Sequence, residues 1–362
     1  MTLLFCDGFD HYGTDVTNME AGAWGEVDAG ATKFEVSTEN PRTGTHSLRR
    51  DNLLQTENVA RRVLGGAKTT VGLGFAFDID QLPSVNDTYC LCDFRDTANA
   101  VNLSVIVQST GIIDIFKGAR TGTSIVDSVT PVVLTGSYQH IEILVTFDNT
   151  NGAVEVRLNG VTVIAATSLD TVATSNSECS QIALLGGNNS GSAGAFNVTT
   201  FFDDVYCYDD SGSFNNTFLG DRRVFTLFPE ADTSQADWSV STGGNGFDTI
   251  NEADPNDDTD YIFANPGISP NPVSEFEMED LAVGVSSISA VVLVNRMRKT
   301  DAGTAFVQPS LVSAATEEQG VDQALSESYT YYHDVVEADP DTAAAFTRTA
   351  VNAAKLKLDR TT

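Results

Sequence analysis

The sequence predicts an all-β protein in which a β-sandwich is followed by a second, smaller β-rich sandwich. Three observations predict it: apolar and polar residues alternate with a period of two, turn residues recur about every ten positions, and helical periodicity is scarce. The clearest case is residues 138–165, where apolar residues from Ile141 to Phe147 alternate with mostly polar ones. Turns at 148–152 and 159–160 separate this run from further alternation, which is typical of antiparallel hairpins. One apolar and one polar face indicate a sheet that covers a core.

Further strand patterns fill the first 210 residues. They lie at 3–6, 24–27, 33–37, 47–52, 71–79, 89–93, 102–108, 112–117, 180–185 and 197–208. In the pattern at 71–79 the apolar residues occupy one side, and two glycines are among the residues opposite. Many short strands separated by turns are typical of a sandwich or jelly roll.

A polar stretch at 209–216 follows a strongly apolar strand and predicts a domain boundary. The predicted organisation is therefore a first sandwich at 1–210, a linker at 211–216 and a second domain at 217–362. Strand patterns of the second domain lie at 221–228, 237–241, 261–264, 274–279, 285–298, 304–312 and 329–336. The only predicted helix is a short one within 341–354, capped by Asp341 or Thr342.

The charge of the chain excludes some partners. Its 362 residues include 50 acidic and 20 basic ones, for a formal net charge of -30. Such a surface repels phosphate backbones and anionic lipids, so we expect neither nucleic acid nor membrane insertion. The N-terminal residues carry no secretory signal, and the five cysteines are expected to be buried free thiols. Cys90 and Cys92 are predicted to share one face of a strand.

Four motifs of the first domain point to a known fold: Cys6–Asp10, Pro41–Arg49, Asn151–Gly160 and Phe202–Tyr206. With these motifs the domain resembles the concanavalin A-like, laminin-G-type lectin sandwich. The resemblance implies a jelly roll whose first and last strands pair.

A wider likeness covers nearly the whole chain. Its further motifs are Phe218–Val224, Trp238, Asp257–Tyr261, Arg298–Gly303 and Tyr329–Tyr332. Through them the chain is similar to virion structural proteins of tailed bacteriophages and prophages. The resemblance implies a virion protein that folds in the host cytoplasm, with a second domain for assembly. Its expected partners are copies of itself, other virion proteins and host-surface polysaccharide.

The motifs carry no catalytic signature, so no catalytic residue is predicted and the protein is expected not to be an enzyme. A tail-associated subunit of a fibre, tip or baseplate is the first interpretation, and a capsid-decorating protein is the alternative. A rival from another class is a polysaccharide-degrading tailspike, suggested by Glu275, Glu277 and Glu279 on one strand face. Retaining glycosidases hold two carboxyl groups about 5–5.5 Å apart. The alternative is an ordinary strand in which Phe276 and Met278 point into the core and the glutamates face water, which explains the same residues.

Calcium is the only cofactor that the acidic residues suggest, at two places. The loop residues Asp254, Asn256, Asp258 and Asp260 occupy positions 1, 3, 5 and 7 of a calcium loop, although Thr259 replaces its glycine. A solvated acidic turn is the alternative interpretation. The second predicted calcium site would join carboxylates near the two ends of the first domain. Its ligands would be Asp7 or Asp10 with Asp203 or Asp204.

Sugar binding requires an exposed aromatic ring with amide or carboxylate groups nearby. The predicted glycan-binding residues are Trp24 and Tyr138 with Asn188 and Asn189 of a polar loop. The alternative for each aromatic residue is a place in the core or in an interface.

Overall fold

The computed structural model describes residues 3–22, 24–28, 34–52, 58–85, 87–186, 198–264 and 271–361. The predicted all-β fold is confirmed: fifteen strands within 3–209 form two stacked antiparallel sheets, and ten more follow within 229–360. We call these parts the first and second units; their division into independently folding domains stays a prediction. Among the described residues, no helix is long and apolar enough to cross a membrane.

The strands of the first unit, in chain order, are β1 (Leu3–Asp7), β2 (Glu26–Val27), β3 (Phe34–Ser37), β4 (Ser47–Asn52), β5 (Asn58–Lys68), β6 (Thr70–Ile79), β7 (Thr88–Arg95), β8 (Val101–Gln108), β9 (Ile113–Lys117), β10 (Thr123–Asp127), β11 (Gln139–Thr146), β12 (Gly152–Leu158), β13 (Val161–Leu169), β14 (Cys179–Gly186) and β15 (Val198–Asp209). An eight-stranded sheet has the order β13-β12-β11-β6-β15-β4-β3, with β1 also paired to β15. A seven-stranded sheet has the order β10-β9-β8-β7-β14-β5-β2. The four-residue helix α1 (Thr17–Glu20), which the sequence did not predict, follows β1.

The core lies between these two sheets. The predicted meander at 138–165 is confirmed as β11, β12 and β13, joined by the two expected turns. Ile141, Ile143 and Val145 point into the core, opposite the apolar side chains of β6. Period-two alternation therefore assigns the inner face of these strands correctly.

Two features of the seven-stranded sheet differ from the prediction. Strand β5 was not predicted, because the pairs Arg61-Arg62 and Gly65-Gly66 interrupt any alternation. The placement of Cys90 and Cys92 on one face was wrong. An irregularity in the pairing of β7 with β8 lies between these two residues, so Cys92 joins the core while Cys90 joins an apolar cluster outside it.

The second unit contains β16 (Pro229–Ala236), β17 (Ser239–Val240), β18 (Ile262–Phe263), β19 (Val273–Met278), β20 (Val291–Met297), β21 (Phe306–Ser313), β22 (Thr316–Gln319), β23 (Gln323–Ala324), β24 (Thr330–Val336) and β25 (Lys355–Arg360). A six-stranded sheet has the order β16-β19-β25-β21-β22, with β23 also paired to β21. Two further sheets have only two strands each, β17 with β18 and β20 with β24. Strand β24 contacts the first unit, where the Tyr331 hydroxyl donates to the His11 carbonyl at 3.0 Å.

The predicted helix within 341–354 is shorter than expected. Helix α2 covers Arg348–Ala353, and its cap is Thr347, whose hydroxyl oxygen accepts a hydrogen bond from the Ala350 N–H. The residues proposed as caps belong to a preceding turn, in which the Asp339 carboxylate accepts from the Asp341 N–H and the Thr342 hydroxyl. A nearby carboxylate therefore competes with helix formation at this point.

Two stretches predicted as strands pair with no described strand. Residues 222–228 precede β16, and residues 284–290 precede β20, although both carry alternating apolar residues. Both line one wide cavity in the second unit.

Candidate functional site

Three of the motifs that carried the resemblance, Pro41–Arg49, Phe202–Tyr206 and Phe218–Val224, meet in one largely buried cluster of charged groups, which we call the charged cluster. Asp203 accepts hydrogen bonds from the backbone N–H groups of Arg42 and Thr43 at 2.7 and 3.0 Å. Asp204 accepts from the Arg42 guanidinium and from the Val224 N–H. Arg42 also forms a two-pronged ion pair with Asp221. The charged cluster therefore joins the turn before β4, strand β15 and the segment that leaves the first unit.

The pKa values of both aspartates in the charged cluster are raised. Burial, and then the charge of Asp204, raises the pKa of Asp203 to about 8, against the opposing effect of its N–H donors. Burial also raises the pKa of Asp204, although Arg42 opposes the shift. Both side chains are fully buried, so their bonds to the backbone hold the turn and do not face solvent.

The two aspartates of the N-terminal motif hold separate groups. Asp10 accepts from the backbone N–H groups of Thr45 and His46. Asp7 accepts from the Tyr12 hydroxyl and from the Trp24 indole N–H, both at 2.8 Å. The prediction of Trp24 as a sugar platform is wrong, because its ring is fully buried between Phe5 and Phe9.

The eight predicted calcium ligands all lie within the described residues. No group of three or more His, Cys, Asp or Glu side chains able to hold a metal is found in the described part of the chain. In the acidic loop, Asp257 is paired with Arg296, Asp258 accepts from Arg298, and Asp260 accepts from the Thr242 hydroxyl. The ion pairs with Arg296 and Arg298 hold this loop beside strand β20, a structural role that neither interpretation of the loop included. Calcium at either place stays a prediction.

The remaining predicted glycan residues give a mixed result. Tyr138 is half-buried, and its hydroxyl donates to the Asn40 carbonyl at 2.7 Å. Asn188 and Asn189 lie outside the described residues. The structure therefore does not bring the four predicted residues together as one site.

The three glutamates of the rival interpretation also do not form one site. Glu275 on β19 is buried beside Lys355, with a 3.0 Å ion pair. Strand β19 ends at Met278, so Glu279 lies beyond it and accepts from the Phe228 N–H. The carboxylates of Glu275 and Glu279 thus serve different structural contacts.

The outer face of the eight-stranded sheet is closed by residues 218–224, which we call the crossing segment. Glu142 on β11 accepts from the Leu219 and Gly220 N–H groups at 2.8 and 3.0 Å, and from the Tyr206 hydroxyl at 2.7 Å. The guanidinium of Arg157 lies 3.8 Å from the ring centre of Phe218. This face is therefore a packing surface for the chain that follows the first unit.

Two glycines of β6 make this packing possible. The rings of Tyr206 and Tyr208 lie across Gly74 and Gly72, so a Cβ at either glycine would fall 2.2 or 2.0 Å from a ring carbon. His140 lies beside Tyr206, with its Nε2 at 3.3 Å from the Tyr206 hydroxyl oxygen. Burial lowers the pKa of His140 to about 4, so it is uncharged at neutral pH.

The outer face of the seven-stranded sheet is different, because one row of side chains crosses all seven strands. Directly paired residues share a face of a sheet. Cross-strand pairing places Glu26, Arg61, Ala183, Asp93, Ser104, Phe116 and Ser124 in this row. We call it the polar row.

Hydrogen bonds connect the polar row to its neighbours. Arg61 pairs with Glu26 at 2.9 Å and donates to Gln181 at 2.6 Å. Asp93 accepts from the Ser104 hydroxyl at 2.6 Å and from Arg95 at 3.0 Å. The centre is buried, whereas Arg61 and Phe116 are half-buried and Glu26 and Ser124 are exposed at the two ends.

A second carboxylate lies beside the row, on β9. Asp114 accepts from the Gln108 amide at 2.6 Å and from the Ser124 hydroxyl at 2.7 Å. Burial raises the pKa of Asp114, and these two donors oppose the shift. Asp93 has a guanidinium partner, whereas both hydrogen bonds to the Asp114 side chain come from neutral groups. The face thus holds two carboxyl groups in different surroundings.

The candidate site is therefore the polar row with Asp114, and sequence reasoning missed it. Its residues come from seven strands and are widely spaced along the chain. Only the register of the strands brings them together, and β5, which supplies Arg61, had not been predicted. A usable signal was the occurrence of charged residues inside otherwise apolar strands, such as Asp93 and Asp114.

No family model and no curated protein matches the chain. Solved structures of similar fold include "Cellulose induced protein, Cip1", with 18% identity and a TM-score of 0.44, covering 60% of this chain and all of that one. Alginate lyase Aly36B has 12% identity and a TM-score of 0.38, covering 57% of this chain and 96% of that one. Alginate lyase AlgAT5 of polysaccharide lyase family 7 has 11% identity and a TM-score of 0.35, covering 49% and 82%. Likeness at this level concerns the sandwich fold and not the chemistry.

The comparisons change two expectations. The prediction that the chain is not an enzyme is contradicted, because folds like this one include alginate lyases. Nothing in these comparisons shows a phage origin, so membership of a virion stays a prediction of the sequence resemblance. The concanavalin-like sandwich itself is supported.

Proposed function

We propose that the chain binds a polysaccharide across the outer face of the seven-stranded sheet. The observation that carries this proposal is the polar row, which runs over seven strands from Glu26 to Ser124. Six strand spacings give it a length of about 29 Å, which suits an extended polymer better than a single sugar. The crossing segment covers part of the opposite face of the sandwich.

The groups at the ends of the row suit sugar hydroxyls. Arg61 offers a planar donor, and Ser124 offers a hydroxyl that both donates and accepts. Phe116 offers an apolar ring on which a pyranose face can stack. The buried Asp93 and Asp114 hold Ser104 and Ser124 in place through the hydrogen bonds described above. We assign contact to the half-buried and exposed residues and positioning to the buried ones.

The charge of the face favours a neutral polymer. Both arginines beside the row are ion-paired, Arg61 with Glu26 and Arg95 with Asp93. The whole chain carries a net charge of -30, which repels a polyanion. We therefore expect a neutral glucan or mannan to bind and alginate not to bind.

Calorimetric titration with mixed-linkage β-glucan, galactomannan, dextran and alginate tests the proposal. We expect Phe116→Ala and Arg61→Ala each to weaken binding of the neutral polymer about tenfold or more. Arg49→Ala is the matched control, because Arg49 lies in ion pairs on the eight-stranded sheet with similar exposure, 23% against 18%. Failure of every polymer to bind, or equal losses in the control, would contradict the proposal.

A second candidate function is hydrolysis of the bound polymer, favoured by the two unlike carboxyl groups. Asp114, whose pKa is raised by burial, would protonate the leaving glycosidic oxygen, while Asp93 would take a proton from the attacking water. Strands β7 and β9 are two spacings apart and Asp114 lies two residues along β9 from the row, so the two Cα atoms are about 12 Å apart, which is too wide for a retaining pair and leaves room for the water of an inverting one. This chemistry requires both buried carboxyl groups to become accessible to the polymer.

Release of reducing ends measures this activity. Asp114→Asn and Asp93→Asn should each abolish it, whereas Glu275→Gln and Glu279→Gln in the second unit should leave it unchanged. Binding without cleavage would retain the first function and reject the second.

The sequence resemblance supports a setting for this function, a tail-associated position in a phage particle assembled in the host cytoplasm. A capsid-decorating position is the alternative. Immunogold labelling of intact particles with antibodies to the chain distinguishes tail from head, and absence of label would reject both.

A further inference from the structure

The second unit lines most of an open, mainly apolar cavity of about 1200 Å³, to which the first unit contributes residues such as Leu3, Gly8 and Tyr206. This is larger than the roughly 300–1,000 Å³ of ordinary ligand pockets. Every residue of β20 lines it, together with residues 222–229 and 281–290. The described residues of one chain therefore do not fill this cavity.

Large apolar side chains are exposed at the edge of the cavity. Phe225, Tyr261 and Phe263 are each about 40% exposed, and Val283 is 91% exposed. All four line the cavity. Contiguous exposed apolar groups of this kind mark an interaction surface.

The backbone around the cavity also lacks strand partners. Among the described strands, β20 pairs only with β24, and a two-stranded sheet is marginally stable alone. Residues 282–290 form no backbone–backbone hydrogen bond with another described residue. Yet the sequence pattern of 285–298 is that of one long strand. Such unpaired edges accept strands from another chain.

The charge of the cavity wall selects the occupant. Six basic residues line the cavity, and six acidic residues match them. The chain as a whole has 20 basic and 50 acidic residues, so this wall is neutral on a strongly negative molecule. Two copies of the chain therefore repel each other least when they meet here. The basic set is Arg222, Arg223, Arg296, Arg298, Lys299 and Arg360.

We propose that the occupant is a second copy of this chain, which closes the cavity of the second unit through a self-complementary interface. The exposed apolar residues of one copy enter the cavity edge of the other, and the free edges of β20 and of residues 282–290 add to strands of the partner. An isologous contact of this kind is the commonest form of homo-oligomer. The inference does not depend on the proposed function.

The full chain, studied by size-exclusion chromatography with light scattering and by sedimentation velocity, tests this inference. We expect the wild type to be a dimer, with about twice the 38.6 kDa mass of one chain. Val283→Asp should convert it to a 38.6 kDa monomer with an unchanged circular dichroism spectrum. Val129→Asp is the matched control, because Val129 is 81% exposed but lies on the first unit. This control should leave the assembly intact.

Phe225→Asp provides a second variant at the cavity edge and should also give a monomer. A wild type that stays monomeric at about 100 μM, well above the Kd of a stable dimer, overturns the proposal. So does a Val283→Asp variant that assembles like the wild type. Binding of an apolar dye by a monomeric wild type would identify the cavity as a small-molecule site and overturn it as well.

Discussion

The two outer faces of the first sandwich are built from the same kind of strands but serve opposite purposes. On the eight-stranded sheet, Gly72 and Gly74 make room for two tyrosine rings, and the crossing segment covers them through Glu142. On the seven-stranded sheet, a row of mostly polar residues crosses from edge to edge. The difference supports the proposal that one face holds the next part of the chain while the other binds a ligand.

Replacing Gly74 should have the largest effect on this comparison. A Cβ there would lie 2.2 Å from the Tyr206 ring, so Gly74→Ala must displace Tyr206 and break its bond to Glu142. We expect a loss of about 3 kcal/mol in the free energy of unfolding, measured in urea. Gly25→Ala is the control, because its Cβ would meet its nearest neighbour at an ordinary 3.7 Å. Equal stability of the two variants would mean that the closed face is not tightly packed.

Acidification should weaken the closed face next most strongly. The pKa of His140 is about 4 in the folded chain and near 6.5 when unfolded, so the unfolded chain binds more protons between these values. Stability therefore falls as pH drops from about 6.5 to 4, by about 3 kcal/mol from this residue. The raised pKa of Asp203 gives the opposite slope over the whole of this range, because the folded chain binds more protons at Asp203 between about pH 4 and pH 8.

The contribution of His140 is therefore measured as a difference. Urea unfolding of the wild type and of His140→Gln at pH 7 and pH 4.5 should show a shallower pH dependence in the variant when the other groups are held constant. Identical slopes would show that His140 is not buried as described.

Loss of the charge on Glu142 should loosen the crossing segment. Glu142→Gln keeps an acceptor for the Leu219 and Gly220 N–H groups but weakens both bonds, at a cost of about 1–2 kcal/mol. We expect faster trypsin cleavage after Arg222 and Arg223. Glu35→Gln on the same sheet, where Glu35 pairs with Arg49, should cleave at the wild-type rate. An unchanged cleavage rate in Glu142→Gln would show that Glu142 does not hold the crossing segment on this face.

Calcium should have the smallest effect. The carboxylates of Asp203, Asp204 and Asp10 already accept N–H donors, so a cation would have to displace these bonds. We expect the unfolding temperature to change by less than about 1 °C between added calcium and chelator, since a ligand stabilises only by binding the folded state. A rise of several degrees would restore the predicted site.

The sequence predicts the sandwich well where apolar residues strictly alternate. The meander from Gln139 to Leu169 is the clearest example, because its inner face needs apolar side chains at every second position. Strand β5 has no such pattern, because two adjacent arginines and two adjacent glycines interrupt the alternation. The helix cap was missed because a turn around the Asp339 carboxylate precedes the helix, and the face of Cys90 was missed because a bulge shifts the register.

The candidate site could not be predicted from spacing along the chain. Arg61, Ala183 and Asp93 are neighbours only because of the strand order and register. The ion pairs at the two predicted calcium sites could not be predicted either. Arg42 pairs with Asp204, and Arg296 pairs with Asp257 of the acidic loop, in each case across a long distance in sequence.

The most direct test of the account is hydrogen exchange of the chain with and without a neutral polysaccharide that binds in the titrations. We expect added polymer to slow exchange in peptides from β8 and β9 of the seven-stranded sheet. Peptides from β6 and β11 of the eight-stranded sheet should be unchanged. Slower exchange in β6 and β11 with no change in β8 and β9 would contradict the assignment of the two faces.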